Sequence, residues 1–98
     1  MNGWCTYLVT CADGTLYCGV TNNIVKRVLT HNAGKGAKYT KPKTRRPVKL
    51  EWFRSAETKG EALRMEFALK QLTREQKLEI VAGRKRLADL IPTPIKTK

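Results

Sequence analysis

The side chains that could do chemistry include two tyrosines, an arginine and a histidine near the amino terminus. Tyr7 and Tyr17 are ten residues apart, Arg27 follows Tyr17 by another ten, and His31, the single histidine, follows Arg27 by four. A phenol or an imidazole can transfer a proton, and a guanidinium can hold two phosphate oxygens at once. On a helix, Arg27 and His31 would be neighbours. Each of the four could equally be structural, for example a tyrosine packed with its hydroxyl satisfied.

Glu66 is the acidic residue whose position needs an explanation. It falls in a helical pattern whose apolar residues form a wide arc: Ala62, Leu63, Met65, Phe67, Leu69 and Leu72. At ~100° per residue, Glu66 lies inside that arc rather than on a polar flank. A buried carboxylate without a partner is costly or stays protonated, so we expect a positive group to meet it. Lys70, one turn later, could form a structural ion pair with it.

The chain is strongly basic, with 20 lysines and arginines, 8 acidic residues and a formal charge of +12. This excess favours a polyanionic partner, nucleic acid above all. Residues 35–49 contain basic side chains and no acidic one: Lys35, Lys38, Lys41, Lys43, Arg45, Arg46 and Lys49. Such charges repel one another unless an anion is bound, although a solvated loop that keeps the protein soluble is the alternative. Within this stretch, Tyr39 could stack on an unpaired base or pack onto the domain.

Length and composition exclude several classes of protein. Ninety-eight residues suit one domain, expected over residues 1–91, with residues 92–98 as a flexible tail. No apolar run approaches the ~20 residues that span a bilayer, and no secretory signal is visible. The cysteines, Cys5, Cys11 and Cys18, lack zinc-site spacing and a relay for thiol catalysis. They predict reduced thiols packed in strands, and therefore a cytoplasmic protein.

A β-hairpin is predicted at the amino terminus. Residues 4–11 and 15–21 are rich in Tyr, Val, Thr and Leu, and Ala12-Asp13-Gly14 between them is typical of a type I turn closed by a left-handed glycine. With this loop length Tyr7 would pair with Gly19, and both tyrosines would share one face. A two-residue turn would separate the tyrosines. The opposite face is expected to be the core face, formed by Leu8, Leu16, Cys18 and Val20.

A helix is predicted next, over about residues 23–32, with Asn22-Asn23 supplying its N-cap. Its apolar stripe would consist of Ile24, Val25, Val28 and Leu29. Arg27 and His31 would lie just beside the edge of this stripe, where polar groups can line a cleft floored by the sheet. Glycines and prolines make residues 33–47 a loop.

The second half of the chain predicts one strand and further helices. Residues 48–54 are expected to form a strand with Val48, Leu50 and Trp52 on one face. Helices are predicted at about 58–71, from the capping-box pattern Thr73–Gln76 to near Gly83, and as a short tail at 87–91. The expected architecture is α/β (α+β): a small, mainly antiparallel three-stranded sheet flanked by helices, in the order β-β-α-β-α-α.

The tripeptides Cys5-Thr6-Tyr7 and Tyr17-Cys18-Gly19 resemble the two motifs that name the GIY-YIG nuclease superfamily. They are read here as CTY and YCG, so the tyrosines and the glycine match while small or apolar positions differ. An arginine, a histidine and a glutamate follow with spacing similar to that of the family. The resemblance covers roughly residues 4–72, and the chain looks most like the short, single-domain bacterial branch.

This resemblance implies an endonuclease that hydrolyses phosphodiester bonds of DNA, including branched or damaged DNA as in DNA repair, with one Mg²⁺ or Mn²⁺ ion. Glu66 falls where the family places its metal-binding glutamate, and Arg27 matches the arginine that stabilises the phosphate. Tyr17 looks like the tyrosine that acts as, or near, the general base, and Tyr7 like the one that positions water or phosphate. His31 could take a proton from water or assist a tyrosine. The sequence offers no second acidic residue at ligand spacing, which favours a one-metal site.

The resemblance also implies how nucleic acid is held. Gly19 would let the substrate backbone approach closely. In some relatives a lysine follows this glycine; Val20 stands there in this chain, so Lys26, Lys35 or Lys38 would take over its role. The residues expected to bind nucleic acid are Gly19, Lys26, Lys35, Lys38, Tyr39, Lys41, Lys43, Arg45 and Arg46. DNA is favoured over RNA, and neither a membrane nor a small-molecule cofactor is expected.

Two other functions remain open from the sequence. The domain could be a non-cleaving module that binds DNA or RNA on a nuclease-like fold. It could also be a basic protein associated with ribosomes or their assembly, which would show no metal dependence.

Overall fold

The computed structural model describes residues 2–90 of the chain, without the side chains of Asn2, Ala88 and Leu90. The strands are β1 (Asn2–Thr10), β2 (Leu16–Asn23) and β3 (Lys49–Ser55), and the helices are α1 (Ile24–Asn32), α2 (Lys59–Lys70), α3 (Arg74–Val81) and α4 (Leu87–Leu90). The first six of these elements follow the expected order β-β-α-β-α-α, and α4 is the short helix predicted after them. The loop between α1 and β3 contains two short 3₁₀ turns, at Lys38–Thr40 and Lys43–Arg45. Residues 91–98, including the expected tail, lie outside the described residues.

One antiparallel sheet has the strand order β2-β1-β3, so β2 is an edge strand. Tyr7 pairs with Gly19 and Val9 with Tyr17, which confirms the predicted register. The turn supports this register because Gly14 has a φ of +86° and its N–H donates to the Cys11 carbonyl over 2.9 Å. The tyrosines therefore share one face of the sheet.

Both faces of the sheet are buried, which corrects the expectation of a single core face. The face with the tyrosines carries α1 and the first cluster: Cys5, Tyr7, Val9, Cys11, Ile24 and Val48. The opposite face carries the second cluster, which involves α2, α3 and α4: Leu8, Cys18, Met65, Leu69, Ile80 and Leu87. A strand that is buried on both faces has a nearly continuous run of apolar residues in its sequence, and the central strand β1 has this pattern.

Two further expectations about faces are wrong. A bulge displaces the register between the pairs Val9–Leu50 and Leu8–Trp52, so Leu50 and Trp52 lie on opposite faces of the sheet. In α1 the buried residues are Ile24 and His31, whereas Val25 and Leu29 are exposed. The helix thus turns the face with Arg27 and His31 toward the sheet, more than its apolar stripe predicts.

The helix ends follow the sequence closely. The Asn23 side chain caps α1 by accepting the N–H of Lys26, and Thr58 caps α2. Thr73 and Gln76 form the predicted capping box at the start of α3. The three cysteines are free and buried; Cys5 and Cys18 lie in strands as expected, and Cys11 directly follows β1. Within residues 2–90, no helix has the length and apolarity to cross a bilayer.

Candidate active site

A cleft of about 440 Å³ opens beside the edge strand β2. Tyr17 and Gly19 of β2 line its floor, Arg27 of α1 lines one wall and Glu66 of α2 lines the other. The helices pack on opposite faces of the sheet, so their side chains can meet only beyond an edge of the sheet. The edge position of β2 therefore brings three of the five expected catalytic residues into one cleft, and Tyr7 and His31 lie beneath it.

Tyr7 and His31 form a fully buried pair under this floor. Both are 0% exposed, and the Tyr7 hydroxyl lies 2.7 Å from Nε2 of His31. The same hydroxyl accepts the Nε–H of Arg27 over 3.2 Å. On the far side of the imidazole, Nδ1 lies 2.6 Å from the hydroxyl of Thr40, which is also 0% exposed. A chain of hydrogen bonds thus runs from the cleft wall at Arg27 to the loop at Thr40.

Burial sets the protonation states of this pair. It lowers the pKa of His31 from 6.5 to about 4, with a smaller contribution from the nearby Arg27 charge. It also raises the pKa of Tyr7 to about 12, although Arg27 acts in the opposite direction. At neutral pH both side chains are therefore uncharged, and the hydrogen bond between them joins a phenol to a neutral imidazole.

Tyr17 is the tyrosine that faces the cleft. Its ring lies edge-on to the His31 ring at 5.5 Å between centroids, is stacked with the Tyr39 ring at 5.7 Å and is tilted against the Tyr7 ring at 6.4 Å. Burial raises the pKa of the Tyr17 hydroxyl, while the charge of Arg27 lowers it. Its contacts fix the ring on two sides and leave the phenol as the titratable group on the cleft floor.

Gly19 has a structural reason to be glycine. A Cβ at this position would stand 2.6 Å from Cζ of Tyr7, which faces it across the strand pair. Any larger side chain would push the Tyr7 ring away from His31. Gly19 is itself buried, so its first role is to admit the tyrosine; the expected approach of a substrate backbone remains a prediction.

Glu66 is not fully buried, which corrects the expectation of a wide apolar arc. Its side chain is 20% exposed, and Lys70 forms an ion pair with it over 3.3 Å. The buried residues of α2 are Ala62, Met65 and Leu69, whereas Phe67 is 69% exposed. The buried face is thus narrower than the apolar pattern, and Glu66 lies at its edge, where the carboxylate reaches the cleft.

The oxygen ligands that the cleft offers are suited to a weakly bound hard cation such as Mg²⁺. Glu66 supplies carboxylate oxygens in a cleft open to water, and Mg²⁺ commonly takes only one or two carboxylates besides water and phosphate oxygens. No group of three or more His, Cys, Asp or Glu side chains suited to a metal ion occurs in the described part of the chain. The thiols do not compete, because burial raises the pKa of Cys18 to about 12.

The basic residues divide into free and engaged ones. The lysines are exposed: Lys26, Lys35, Lys38, Lys41 and Lys43. Arg45 instead lies over the Tyr39 ring at 3.9 Å and forms an ion pair with Asp13 over 3.1 Å. Arg46 packs against Gly34 and donates to the Asn32 carbonyl over 3.5 Å.

These contacts distinguish residues that hold the loop in place from residues that are free to bind an anion. Tyr39 is enclosed between Tyr17 and Arg45, so of its two sequence alternatives the structure shows packing onto the domain. Arg45 and Arg46 hold the loop in place rather than presenting free guanidinium groups. The exposed lysines are the side chains left to meet an anion.

Sequence reasoning missed Thr40, Gly36 and Asn32. Gly36 lies against the His31 ring, where a Cβ would stand 3.0 Å from Cγ. Asn32 accepts the N–H of Val48 over 2.6 Å and so ties the end of α1 to the start of β3. Only the fold brings these residues to the site, although a polar partner for a buried histidine could have been expected on general grounds.

Comparison with known proteins gives a consistent result. The sequence pattern of the GIY-YIG catalytic domain matches residues 3–79. A protein of Staphylococcus haemolyticus named UPF0213 protein is 50% identical over 78 residues, covering 80% of this chain and 93% of the relative. A UPF0213 protein of Bacillus velezensis is 46% identical over 85 residues, covering 87% and 84%.

Two solution structures determined by NMR have the same fold. One is a UPF0213 protein of Bacillus halodurans, 37% identical, with a TM-score of 0.52 and 86% of each chain covered. The other is a protein of E. faecalis, 38% identical, with a TM-score of 0.57, covering 85% of this chain and 90% of that one.

Proposed function

Because the chain belongs to the GIY-YIG family, we propose that it is an endonuclease that hydrolyses phosphodiester bonds of DNA with a single Mg²⁺ ion. One observation carries this proposal: Tyr17, Arg27 and Glu66 meet in one cleft directly above the buried Tyr7–His31 pair. The three thiols are free and buried, which fits a reducing compartment, so we place the activity in the cytoplasm.

Arg27 binds the scissile phosphate. Its Nε donates to Tyr7, and its terminal nitrogens have no hydrogen-bond partner among the described residues. Fixing one end of the guanidinium orients the other end toward the cleft. A planar fork held in this way can donate two hydrogen bonds to phosphate oxygens and stabilise the negative charge that grows there in the transition state.

Tyr17 holds the attacking water and accepts its proton when the phenol is ionised. The raised pKa of Tyr17 keeps most molecules neutral at pH 7, so positive charge in the loaded site must favour the phenolate. Arg27 already acts in this direction. The stack with Tyr39 keeps the ring from turning away from the cleft.

Tyr7 and His31 act from beneath the floor. They are too deeply buried to touch substrate, so they orient Arg27 and keep a neutral hydrogen-bond acceptor below the reacting groups. Uncharged partners are suited to this position because a cation next to Arg27 would repel it.

Glu66 would hold the metal ion through a carboxylate oxygen. The chemistry that a Mg²⁺ ion held there would supply is polarisation of the phosphate and neutralisation of charge on the leaving oxygen. Lys70 occupies the carboxylate in the absence of metal and is half-exposed, so it can move aside at little cost, as surface ion pairs contribute about 0–1 kcal/mol.

The exposed lysines of the loop grip the nucleic-acid backbone. They are exposed and directly follow, along the chain, the helix that carries Arg27. Replacing one lysine that binds a phosphate should reduce the slope of log affinity against log salt by about 0.9 on duplex DNA.

The test is a cleavage assay on single-stranded, duplex and branched DNA and on RNA, in Mg²⁺ or in EDTA. We expect cleavage of DNA that needs Mg²⁺ and is abolished by Glu66→Ala. Glu57→Ala, which removes an exposed glutamate next to the same helix, is the matched control and should cut normally. Cleavage that survives Glu66→Ala or EDTA would refute the proposed site.

The Glu66–Lys70 ion pair also favours a second candidate, a module that binds nucleic acid and does not cut it. If this pair persists on the substrate, the cleft has no free carboxylate. Tight binding without cleavage in Mg²⁺, unchanged by Glu66→Ala, would establish this alternative.

A further inference from the structure

The loop between α1 and β3 contacts the buried His31 at two points that the basic side chains do not explain. The Thr40 hydroxyl lies within hydrogen-bond distance of Nδ1, and Gly36 approaches the ring so closely that a Cβ there would stand 3.0 Å from Cγ. The loop therefore covers the imidazole in addition to presenting basic side chains. A histidine contacted in this way has its orientation fixed from outside the helix that carries it.

The hydrogen atoms of this chain can be arranged in one way that gives every buried donor an acceptor. The Thr40 hydroxyl lies 3.1 Å from the Ala37 carbonyl, which can only accept. If Thr40 donates to Ala37, it accepts from Nδ1–H of His31, and Nε2 is left free to accept the hydroxyl proton of Tyr7. The Tyr7 oxygen then accepts from Arg27, and every donor along the chain has an acceptor.

The opposite arrangement leaves a buried hydrogen unpaired. If Thr40 donated to Nδ1, Nε2 would carry the proton and donate to the Tyr7 oxygen. That oxygen already accepts from Arg27, and the hydroxyl hydrogen of Tyr7 would then have no acceptor among the described residues. Unpaired buried donors are rare because their desolvation is not compensated.

We propose that Thr40 is a positioning residue that fixes His31 in the Nδ1–H tautomer, so that Nε2 accepts the Tyr7 proton and Arg27 stays oriented toward the cleft. This role rests on the proposed function for its effect on catalysis but not for its effect on the imidazole. The ionisable groups that face the ring are Tyr7 of β1, Tyr17 of β2 and Arg27 of α1; the loop contributes the uncharged Thr40 and Gly36.

The chain offers a direct readout, because His31 is its only histidine. Two-bond ¹H–¹⁵N correlation spectra of ¹⁵N-histidine-labelled protein report which ring nitrogen carries the proton. At pH 7 we expect the wild-type protein to show Nδ1–H and an unprotonated Nε2. A wild-type spectrum with the proton on Nε2 would overturn the proposal whether or not the protein cuts nucleic acid.

Three variants separate the hydroxyl from the shape of the side chain. Thr40→Val removes the hydroxyl at nearly constant size, and Thr40→Ser retains it. Thr44→Val changes an exposed threonine of the same loop as the control. We expect Thr40→Val to lose the single tautomer, and Thr40→Ser and Thr44→Val to keep it.

Cleavage rates complete the test. Thr40→Val should reduce the single-turnover rate roughly tenfold or more, because displacing a group by about 1 Å can cost about 10²-fold. Thr40→Ser should restore the rate. Wild-type tautomer and rate in Thr40→Val would contradict the proposal. If Thr40→Val changes the tautomer but the wild-type protein cuts no substrate, the role of Thr40 stands and the proposed nuclease activity is contradicted instead.

Discussion

The two faces of the sheet bury different kinds of side chains. The face toward α2, α3 and α4 is mainly a core of aliphatic side chains with Cys18 and Met65, and its buried polar residue Thr6 donates its hydroxyl to the Ala62 carbonyl over 2.6 Å. The face toward α1 buries Tyr7, His31 and Thr40, polar groups joined by hydrogen bonds and covered by a loop. The difference indicates a division of labour: the aliphatic face supplies stability, and the polar face holds groups whose orientation matters.

The largest effect on folding should come from the aliphatic face. Leu69 is 0% exposed, and Leu69→Ala should lower the free energy of unfolding by about 2–5 kcal/mol, as is typical of buried leucines. Denaturant unfolding measures this change. The cleavage rate per folded molecule should stay near that of the wild-type protein. A loss of activity at full folding would mean that the division between the faces is false.

The largest effect on activity should come from a substitution on the polar face, at Arg27. Arg27→Lys keeps the charge but removes the fork and the Nε–H that Tyr7 accepts. We expect the turnover rate to fall by about 10²–10³-fold, the loss typical of one transition-state donor. Steady-state kinetics with saturating substrate measure it, and the free energy of unfolding should change by less than ~1.5 kcal/mol, about one hydrogen bond. Wild-type turnover would remove Arg27 from the mechanism.

The polar face should also make stability depend on pH. The pKa of His31 is lowered from 6.5 to about 4 in the folded protein, so between these values the unfolded chain binds more protons. Stability should therefore be complete above pH 6.5 and fall toward pH 4, by up to about 3 kcal/mol, since one pKa unit is about 1.4 kcal/mol.

The matched variant is His31→Gln, which has no group that titrates in this range. The carboxylates contribute equally to both proteins, so the difference between the two unfolding curves isolates the imidazole. Identical slopes for His31→Gln and the wild-type protein between pH 4 and 6.5 would contradict the burial of a neutral imidazole.

Local signals made most of the fold predictable. The three-residue turn at Ala12-Asp13-Gly14 determines the register that unites Tyr7 and Tyr17, and side-chain caps at Asn23 and Thr73 mark helix starts. The wrong predictions concern which residues of a strand or helix face the core, because this depends on the elements packed against it. A bulge that turns Trp52 away from Leu50 leaves no clear trace in an alternating sequence.

The sequence predicted residues that the fold brings to one cleft, Tyr17, Arg27 and Glu66, and their catalytic roles stay predictions. It also left Lys70 open as the partner of Glu66. It did not predict the hydrogen bonds that connect the buried residues. The contact between Thr40 and His31 depends on the path of a loop of glycines, prolines and 3₁₀ turns, which no periodicity specifies. Likewise, Arg45 looked like a free cation, and only the fold shows that it stacks on Tyr39.

The most direct test of the central claim is to locate the metal ion in the loaded cleft. With Mn²⁺ and a non-hydrolysable phosphorothioate oligonucleotide, paramagnetic broadening of amide NMR signals should centre on Gly19, Arg27 and Glu66. It should disappear in Glu66→Gln and persist in Glu57→Gln. Broadening centred away from β2, or unchanged in Glu66→Gln, would contradict a catalytic cleft built on one carboxylate.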